Sequence, residues 1–334
     1  MSAQSWLNSI WYGSAVPPWW LTPLSAAYAA VSKIRRFAYA RHWVRSTRLP
    51  CPVIVVGNLT VGGTGKTPLV SWLAGQLAER GFRPGVVTRG YGGSSRVARL
   101  VQASEKFEIV GDEAILLARR SRAPIATGRN RPAAARLLVN AGCDVILSDD
   151  GLQHYALERD CEIIVVDGDR RYGNGRLLPA GPLRETQARL TSADAIVLNG
   201  GDAPSDGAMR MRLLATNAVA LKYATAKPLR EFSGETVHAI AAIGNPQRFF
   251  ALLRAVGISV VEHPLPDHKR LTIDDISFPD DLPVLMTEKD AVKCQEIAGP
   301  HHWFVPVNVV FAPGDAEKLR AIVAERMEKR TVLT

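Results

Sequence analysis

A glycine-rich loop between a strand-like run and a helix-like run constrains the fold of this chain more than any other feature. Residues 51–56 are strand-like, residues 69–80 have a helical pattern, and the stretch between them reads GNLTVGGTGKTP over residues 57–68. Glycines in such a loop let backbone N–H groups close around phosphate oxygens at the start of a helix. This stretch, called the glycine loop below, is therefore predicted to bind a nucleoside triphosphate.

Part of the glycine loop is predicted to contact the nucleotide or its metal. The candidates are Thr60, Gly62, Gly63, Thr64, Gly65, Lys66 and Thr67. Lys66 supplies a charge for the β- and γ-phosphates, and the Thr67 hydroxyl suits Mg²⁺. Thr60 departs from the Walker A pattern, which has glycine there, and the doubled Gly62-Gly63 is expected to restore the backbone freedom. A glycine-rich turn without a ligand is the alternative, which the flanking strand and helix disfavour.

A second apolar strand-like run, residues 144–148, is followed by two carboxylates, Asp149 and Asp150. A strand-end aspartate in this position typically holds Mg²⁺ beside the phosphates, directly or through water. Two adjacent carboxylates repel each other unless a cation is near. We therefore predict that Asp149 and Asp150 join Thr67 at a magnesium site, without deciding which of the two contacts the ion. A simple polar turn is the alternative.

The net charge of +9 is concentrated near the N-terminus. Residues 1–32 carry no charge and are rich in tryptophan, and the first acidic residue is Glu79. The cationic residues that follow the uncharged segment are Lys33, Arg35, Arg36, Arg41, Arg45 and Arg48. Aromatic, uncharged sequence followed by a basic cluster suits the surface of an anionic membrane. We predict an interfacial helix through residues 24–43.

Other interpretations of this N-terminal segment are weaker. Residues 15–32 hold three prolines and many small residues, which disfavours a spanning helix. The basic residues follow the apolar part, which disfavours a signal peptide. A helix packed on the protein's own core remains an alternative. A nucleic-acid interface would explain the pI near 9.6, but the basic cluster lacks a recognisable reading motif, and no nucleic-acid partner is expected.

Apolar strand-like runs alternate with helical runs along the chain, which predicts a P-loop-type, mainly parallel sheet with helices on both faces. The predicted strands are residues 53–56, 85–88, 144–148, 162–167 and 193–198, and the predicted helices are 69–80, 112–121 and 129–141. After a polar, glycine-rich stretch at 199–207, the alternation resumes with strands 237–243, 258–262 and 283–287 and helices 247–255 and 291–297. We predict three parts: an N-terminal membrane-associating segment (1–48), a nucleotide-binding lobe (49–204) and a smaller α/β lobe that closes the active-site cleft (205–334).

Seven motifs occur in order between residues 57 and 292. They are TGKTP (64–68), TRGYG (88–92), VGDE (110–113), DDGLQH (149–154), GNGRLLPAGPLRE (173–185), PDH (266–268) and TEKDAV (287–292). The set resembles the tetraacyldisaccharide 4'-kinase family, the lipid A 4'-kinases of Gram-negative bacteria, and the N-terminus resembles that family's membrane-associating segment. Leu152, where phenylalanine is more common, and Ala114, where proline is common, depart from the family without replacing a chemically active group.

The resemblance implies transfer of the γ-phosphate of ATP, with Mg²⁺, to the 4'-hydroxyl of a tetraacylated glucosamine disaccharide 1-phosphate. It implies Asp112 as the base, with His268 assisting and Asp267 orienting the imidazole once the lobes close. Without the resemblance, Asp112 would be predicted as the N-cap of a helix and His268 as a solvated loop residue. The implied location is the cytoplasmic face of the inner membrane, with peripheral or monotopic attachment to anionic lipids.

Four further residues are predicted around the phosphates or the substrate's anionic head group: Arg89, Arg171, Arg184 and Glu185. A surface or structural ion pair is the alternative for each. The segment 287–292 is expected to serve either the nucleotide or the fold, a choice that the sequence leaves open. No obligate protein partner is expected.

A peripheral membrane ATPase is the competing enzyme class. Many such ATPases carry an extra lysine early in the phosphate loop, and residues 58–63 hold none. A GTP-dependent switch would need a base-reading motif, which TEKD at residues 287–290 echoes at the wrong spacing. A nucleic-acid binding module would leave Asp149, Asp150 and the glycine loop without a purpose. The lipid kinase is the predicted function.

Overall fold

Strands and helices alternate along the chain, and the strands pair into two sheets. The computed structural model describes residues 3–201 and 207–331, and within these ranges one sheet has nine strands and the other six. The strands are β1 (Val53–Gly57), β2 (Pro84–Thr88), β3 (Arg99–Val101), β4 (Ile125–Thr127), β5 (Val145–Asp149), β6 (Cys161–Asp167), β7 (Ala195–Asn199), β8 (Met209–Leu214), β9 (Asn217–Ala220), β10 (Ala226–Pro228), β11 (Thr236–Ala241), β12 (Ser259–Pro264), β13 (Val284–Thr287), β14 (His302–Val305) and β15 (Asn308–Phe311).

The helices connect and cover these strands. They are α1 (Ala3–Tyr12), α2 (Leu21–Ala40), α3 (Lys66–Glu79), α4 (Phe107–Val110), α5 (Asp112–Arg120), α6 (Arg131–Asn140), α7 (Pro246–Arg254), α8 (Ile273–Ile276), α9 (Glu288–Cys294) and α10 (Asp315–Thr331). Two short 3₁₀ turns, Gln187–Ser192 and Leu229–Phe232, complete the regular structure of the described residues.

The large sheet has the strand order β15-β8-β7-β6-β1-β5-β2-β4-β3. Its strands from β8 to β4 run parallel, and β15 and β3 are antiparallel strands at the two edges. Each residue of β1, β5 and β6 is buried, as expected for parallel strands that helices cover on both faces. Helices α3 and α10 pack on one face and α6 on the other.

The predicted α/β architecture with mainly parallel sheets is confirmed, and its predicted strands and helices are present with small shifts at their ends. The largest shift of interest is at α3, which begins at Lys66, before the predicted start at residue 69. Gly65 enters the helix with φ +92°, and Pro68 fits the first turn because the N–H that it lacks would have no intrahelical partner there.

The second sheet has the order β10-β9-β14-β13-β11-β12, with β14, β13, β11 and β12 parallel. Helix α7 covers one face through Phe249, Phe250 and Leu253. The other face packs against α8 and α9. This second lobe presents the loop after β12 and the start of α9 to the first lobe.

The predicted division between residues 204 and 205 does not separate the two sheets. Strands β8 and β15 pair with each other at the edge of the large sheet, and α10 packs on that sheet through Leu319 and Val323. Near the end of α10, Arg330 pairs with Asp160 and donates to the Leu49 carbonyl. The chain thus leaves the first lobe after β8 and returns to it at β15. Hydrophobic periodicity shows strands but not their partners, so the sequence could not reveal this return. Residues 202–206 of the glycine-rich stretch at 199–207 lie outside the described residues.

Helices α1 and α2 attach to the first lobe along one side. Trp11 Nε1 donates to the Pro179 carbonyl at 3.0 Å, the Ser25 hydroxyl donates to the Leu177 carbonyl, and Leu21 is buried. The helix predicted through residues 24–43 is present as α2, which ends at Ala40. Its packing on the first lobe agrees with the alternative of a helix on the protein's own core, and its association with a membrane stays a prediction.

The other side of α2 is exposed and apolar. Leu24, Val31 and Ile34 are 50%, 65% and 67% exposed, and we call these three residues the outer face of α2. Lys33, Arg35 and Arg36 are exposed beside it. None of the helices in residues 3–201 and 207–331 combines the length and the apolar character that crossing a bilayer requires.

Candidate active site

The glycine loop joins the central strand β1 to α3. Gly62 and Gly65 have φ values of +110° and +92°, a region that side chains with a Cβ avoid. A Cβ on Gly65 would also lie 2.4 Å from Asn199 Nδ2. The loop therefore needs glycine at these positions, and it ends where the first N–H groups of α3 lack helical partners and are available to an anion.

Asn58 holds the glycine loop and its lysine. The Asn58 amide is fully buried, donates to the Thr60 carbonyl at 2.8 Å, and accepts a hydrogen bond from Lys66 Nζ at 3.0 Å. Lys66 Nζ also lies 3.4 Å from Asp150 Oδ1. Asn58 was not predicted as a functional residue. Its signal was a polar side chain directly after an apolar strand, where buried amides usually have a structural partner.

Asp149 and Asp150 end β5 in two different environments. Asp149 is 1% exposed, and its Oδ2 accepts a hydrogen bond from the Thr67 hydroxyl at 3.0 Å. Burial raises the pKa of the Asp149 carboxyl above its usual range, and nearby Glu113 raises it further. Burial would also raise the pKa of Asp150, but Lys66 and then Arg184 outweigh it and hold that pKa well below its usual range.

These side chains fit a divalent cation. Asp149 Oδ1 is buried without a hydrogen-bond partner among the described residues, beside the hydroxyl that a hard cation accepts as a ligand. Within the described ranges no group of three or more His, Cys, Asp or Glu side chains forms a metal cage. Mg²⁺ needs no such cage, because it usually takes one or two carboxylates and completes its shell with water and phosphate oxygens.

A fully buried arginine supports the two aspartates from behind. Arg131, the first residue of α6, donates to the Val87 carbonyl at 2.8 Å and to the Asp149 carbonyl at 2.9 Å. It therefore ties the carboxyl ends of β2 and β5 together. Burial lowers the pKa of Arg131 to about 10. It was not predicted as a site residue. The signal that could have identified it is a cationic side chain at the N-terminus of a helix, where the helix dipole disfavours positive charge.

A histidine from the second lobe meets a carboxylate from the first. His268 Nδ1 lies 3.1 Å from Asp112 Oδ2, and the ring of Tyr91 packs against the imidazole with 4.4 Å between ring centroids. His268 has φ +60°. Asp112 is not the N-cap of α5, since Gly111 takes that position and the Asp112 carboxylate bonds to the next backbone N–H and to His268.

Lys289 of α9 completes this group. Its Nζ donates to His268 Nε2 at 3.2 Å, to Glu113 Oε1 at 3.3 Å and to Asp267 Oδ1 at 3.3 Å. Asp267, which was predicted to orient the imidazole, lies 3.7 Å from Nε2, beyond hydrogen-bonding distance. We call Asp112, Glu113, Asp267, His268 and Lys289 the acid–histidine cluster.

Both lobes line one cleft with a volume of about 950 Å³. The glycine loop, Lys66, Thr67 and Asp150 line it from the first lobe, and His268 and Lys289 line it from the second. Asp112 is 5% exposed and lies behind His268, outside the cleft lining. Burial would raise the pKa of Asp112, but His268, Lys289 and Lys293 lower it to about 2. The imidazole is therefore the member of the pair that faces the cleft.

Three of the four predicted substrate residues line the cleft. Arg89, Arg184 and Glu185 line it. Glu185 accepts hydrogen bonds from Gln153 Nε2 and the Tyr155 hydroxyl, both at 2.9 Å. Arg171 is not among the residues that line the cleft.

Two observations in the cleft depart from the prediction or add to it. Thr60 of the predicted nucleotide set does not line it and pairs with Leu183 instead. His154, which was not singled out, lines the cleft, where burial and the nearby Arg131 and Arg89 lower its pKa to about 3.

Two further surfaces complete the cleft. Tyr28, Ser32 and Arg35 of α2 line it at the side of the N-terminal helices. Leu213, Phe249 and Leu252 belong to an apolar part of the lining. Where Gly244 of the second lobe meets the glycine loop, a Cβ on Gly244 would lie 2.4 Å from the Gly63 nitrogen. The lobes therefore touch at the glycine loop.

Comparison with known proteins identifies relatives along nearly the whole chain. The family described as Tetraacyldisaccharide-1-P 4'-kinase matches residues 17–328. A protein of Nitrosococcus oceani named Tetraacyldisaccharide 4'-kinase is 46% identical over 322 residues, which are 96% of this chain and 95% of the relative. A protein of the same name from Alkalilimnicola ehrlichii is 50% identical over 313 residues, 92% of this chain and 94% of the relative.

The fold is also similar to a solved structure. The crystal structure of LpxK from Aquifex aeolicus, described as an "apo" form in complex with ATP, superimposes with a TM-score of 0.75 at 28% identity. The match covers 92% of this chain and 98% of the other.

Proposed function

Since the chain belongs to the tetraacyldisaccharide-1-P 4'-kinase family, we propose that its cleft transfers the γ-phosphoryl group of ATP to the 4'-hydroxyl of a tetraacylated glucosamine disaccharide 1-phosphate. The protein is an ATP-dependent lipid kinase of lipid A biosynthesis. One observation carries the proposal: Lys66, Thr67 and Asp150 of the first lobe and His268 of the second, which contacts Asp112 from behind, line a single cleft. Phosphoryl transfer needs this combination of a phosphate site and a proton acceptor.

The glycine loop supports binding of the triphosphate. Lys66, already held by Asn58, is positioned beside Asp150 for the β- and γ-phosphates. Thr67, Asp149 and Asp150 would hold Mg²⁺, which when bound neutralises charge on the phosphate oxygens. The apolar lining around Leu213 and Phe249 suits the adenine ring.

The Asp112–His268 pair supports activation of the acceptor hydroxyl. The family resemblance implies Asp112 as the base, but a buried carboxyl with a pKa of about 2 is a weak proton acceptor at neutral pH. In the proposed step, the hydroxyl proton passes to His268 while its oxygen bonds to the γ-phosphorus. The bond from that phosphorus to the β–γ bridging oxygen breaks, and ADP leaves. Asp112 stabilises the imidazolium that forms.

The N-terminal helices support access to an amphiphilic acceptor. The outer face of α2 is apolar with cations beside it, and Tyr28, Ser32 and Arg35 of the same helix line the cleft. Such a helix can lie in the interface of an anionic membrane while its inner side stays on the protein. We propose attachment to the cytoplasmic face of the inner membrane, so that acyl chains stay in the bilayer as the sugar enters the cleft.

The direct test is transfer of label from γ-labelled ATP to the tetraacyl disaccharide 1-phosphate in detergent micelles with Mg²⁺. Labelled lipid is expected from the unaltered protein. Lys66→Ala should lower transfer by at least about 10²-fold, because the charge aimed at the transferred phosphoryl group is lost. Lys318→Ala, which removes an exposed lysine on α10, is the control and should transfer at the normal rate. Normal transfer by Lys66→Ala would remove the glycine loop from the mechanism.

A peripheral membrane ATPase is the alternative that the same experiment separates. It would release labelled phosphate in a Mg²⁺-dependent manner and leave the lipid unlabelled.

A further inference from the structure

Lys289 is the cation of the acid–histidine cluster that contacts the imidazole directly. It lies in the first turn of α9, and its side chain is 14% exposed. Three carboxylates surround it: Glu113 and Asp267 at 3.3 Å and Asp112 at 3.9 Å. Burial alone would lower the pKa of Lys289, but Glu113, Asp112 and Asp267 outweigh it and raise that pKa. Lys289 is therefore an ammonium ion throughout the physiological range.

An ammonium ion can only donate hydrogen bonds. Its contact with His268 Nε2 at 3.2 Å therefore requires a lone pair on that nitrogen. In a neutral imidazole the proton must then be on Nδ1, which faces the Asp112 carboxylate at 3.1 Å. The two contacts agree on one tautomer of His268.

We propose that Lys289 is a positioning residue that sets the tautomer of His268, so that Nδ1–H is donated to Asp112 and the Nε2 lone pair faces the cleft. This inference rests on the proposed function, in which Nε2 accepts the proton of the substrate hydroxyl. The opposite tautomer would carry a hydrogen on Nε2 and could not accept that proton. Glu113 and Asp267 keep Lys289 in place when the hydroxyl takes over Nε2.

Lys289 also places a positive charge beside the imidazole, opposite in sign to the neighbouring carboxylates. The charged and titratable groups that face the imidazole are Asp112 from α5, Tyr91 from the loop after β2, Asp267 from its own loop, and Lys289 from α9. The two carboxylates favour the imidazolium, and Lys289 opposes it. Removing the cation would therefore make protonation of His268 more favourable and reduce the fraction of active base at a given pH.

The test combines a spectroscopic and a kinetic readout on the full chain in detergent micelles. Two-bond ¹H–¹⁵N spectra of protein labelled at histidine, with His268 assigned through His268→Gln, report the tautomer without turnover. The unaltered protein should carry the proton on Nδ1. Lys289→Met should give a mixture of tautomers or the Nε2–H form.

The kinetic readout is the pH profile of kcat. Lys289→Met should lower kcat at pH 7 by at least about ten-fold and move the acid limb up by about one pH unit, with the KM for ATP unchanged. Lys289→Arg keeps the positive charge, so its acid limb should lie at the same pH as that of the unaltered protein. Lys269→Met removes a cation next to His268 that bonds to Asp275 instead, and both its tautomer and its acid limb should stay normal.

Three outcomes would overturn the proposal: an Nε2–H tautomer in the unaltered protein, an unshifted acid limb in Lys289→Met, or an arginine variant that behaves like the methionine variant. If Lys289→Met does not fold, the tautomer of His268 in the unaltered protein still tests the proposal, because an Nε2–H form would contradict it. Absence of phosphoryl transfer by the unaltered protein would instead refute the proposed function, and the tautomer result would stand by itself.

Discussion

Asp150, Arg171 and His268 adopt positive φ angles of 49°, 47° and 60°, which residues with a Cβ seldom adopt. Asp150 and His268 line the cleft. Backbone strain of this kind persists only where surrounding contacts enforce it, and it concentrates at functional sites. Arg131 behind Asp150 and the acid–histidine cluster around His268 provide those contacts. Two of the strained residues thus belong to the two halves of the candidate site, one from each lobe.

At the residue scale, Asp112→Asn separates an orienting role from a binding role. An amide cannot stabilise the imidazolium or hold Nδ1–H as a carboxylate does, so kcat should fall by about 10²–10⁴-fold while the KM for ATP stays within about two-fold. Steady-state kinetics with both substrates measures this. Asp281→Asn, an exposed carboxyl of the second lobe, is the control. A large rise in the KM for ATP with a normal kcat would instead make Asp112 a nucleotide-binding residue.

Sequence patterns predicted the residues that belong to a motif. They missed the residues that keep those motif residues in position through hydrogen bonds. Lys66, Thr67, Asp149 and Asp150 follow from the spacing of strand, loop and helix, and the structure brings them together. Arg131 acts through backbone carbonyls of β2 and β5, and Asn58 through the Thr60 carbonyl of its own loop and the Lys66 ammonium group. No local sequence pattern encodes these contacts. Lys289 lies in the segment 287–292, whose role the sequence leaves open, because that role depends on the packing of α9 against α5.

At the scale of elements, α2 has two sides with different partners. Its inner side donates from Ser25 and Tyr28 to carbonyls of the first lobe, and each residue of its outer face is at least half exposed. Deletion of the whole segment would also remove the buried Trp11 of α1. Substitutions on the outer face therefore test membrane association more cleanly than a deletion does.

We expect Leu24→Ser, Val31→Ser and Ile34→Ser in combination to weaken binding to anionic vesicles by at least about ten-fold. Burial of even one such side chain contributes roughly 1.5–3 kcal/mol. Co-sedimentation with vesicles measures the change, and ATP binding should be unaffected. Val97→Ser, at a site 75% exposed on the first lobe, is the control. Unchanged sedimentation of the triple variant would mean that α2 is not the membrane contact.

Element types were predictable because parallel strands and amphipathic helices carry strong periodic signals. The burial of β1, β5 and β6 on both faces corresponds to the continuous apolar runs of the sequence. The strands that were not predicted are β3, β4, β8, β9, β10, β14 and β15. They are short or lie near sheet edges, where one polar side chain in two obscures the pattern.

At the scale of the whole molecule, the two lobes approach through glycines. Gly244, after β11, lies against Gly62 and Gly63 so closely that a Cβ would be 2.8 Å from the Gly62 Cα. Arg248 of α7 and Asn245 bond to Asp167 at the end of β6. The glycine loop is therefore supported from the second lobe as well as from its own.

Gly244→Ala should separate the lobes at this point or displace the glycine loop. Overpacking of this kind costs about 1–3 kcal/mol of stability, and we expect the KM for ATP to rise several-fold. Thermal unfolding and kinetics measure both effects. Gly75→Ala is the matched control, because nothing lies within 4 Å of its Cβ in α3. It should raise stability by about 0.5–1 kcal/mol with normal kinetics. A Gly244→Ala protein with normal stability and KM would show that the close approach is not needed.

The return of the chain to its first lobe determines the order in which the protein can mature during synthesis. Strand β15 and helix α10 leave the ribosome after the strands of the second lobe, and until then the apolar side chains that Leu319, Val323 and Met327 cover remain exposed to water. The first lobe, whose synthesis begins before that of the second, is thus completed only after it. A chain that stalls after β14 would leave this face of the first lobe uncovered and open to aggregation.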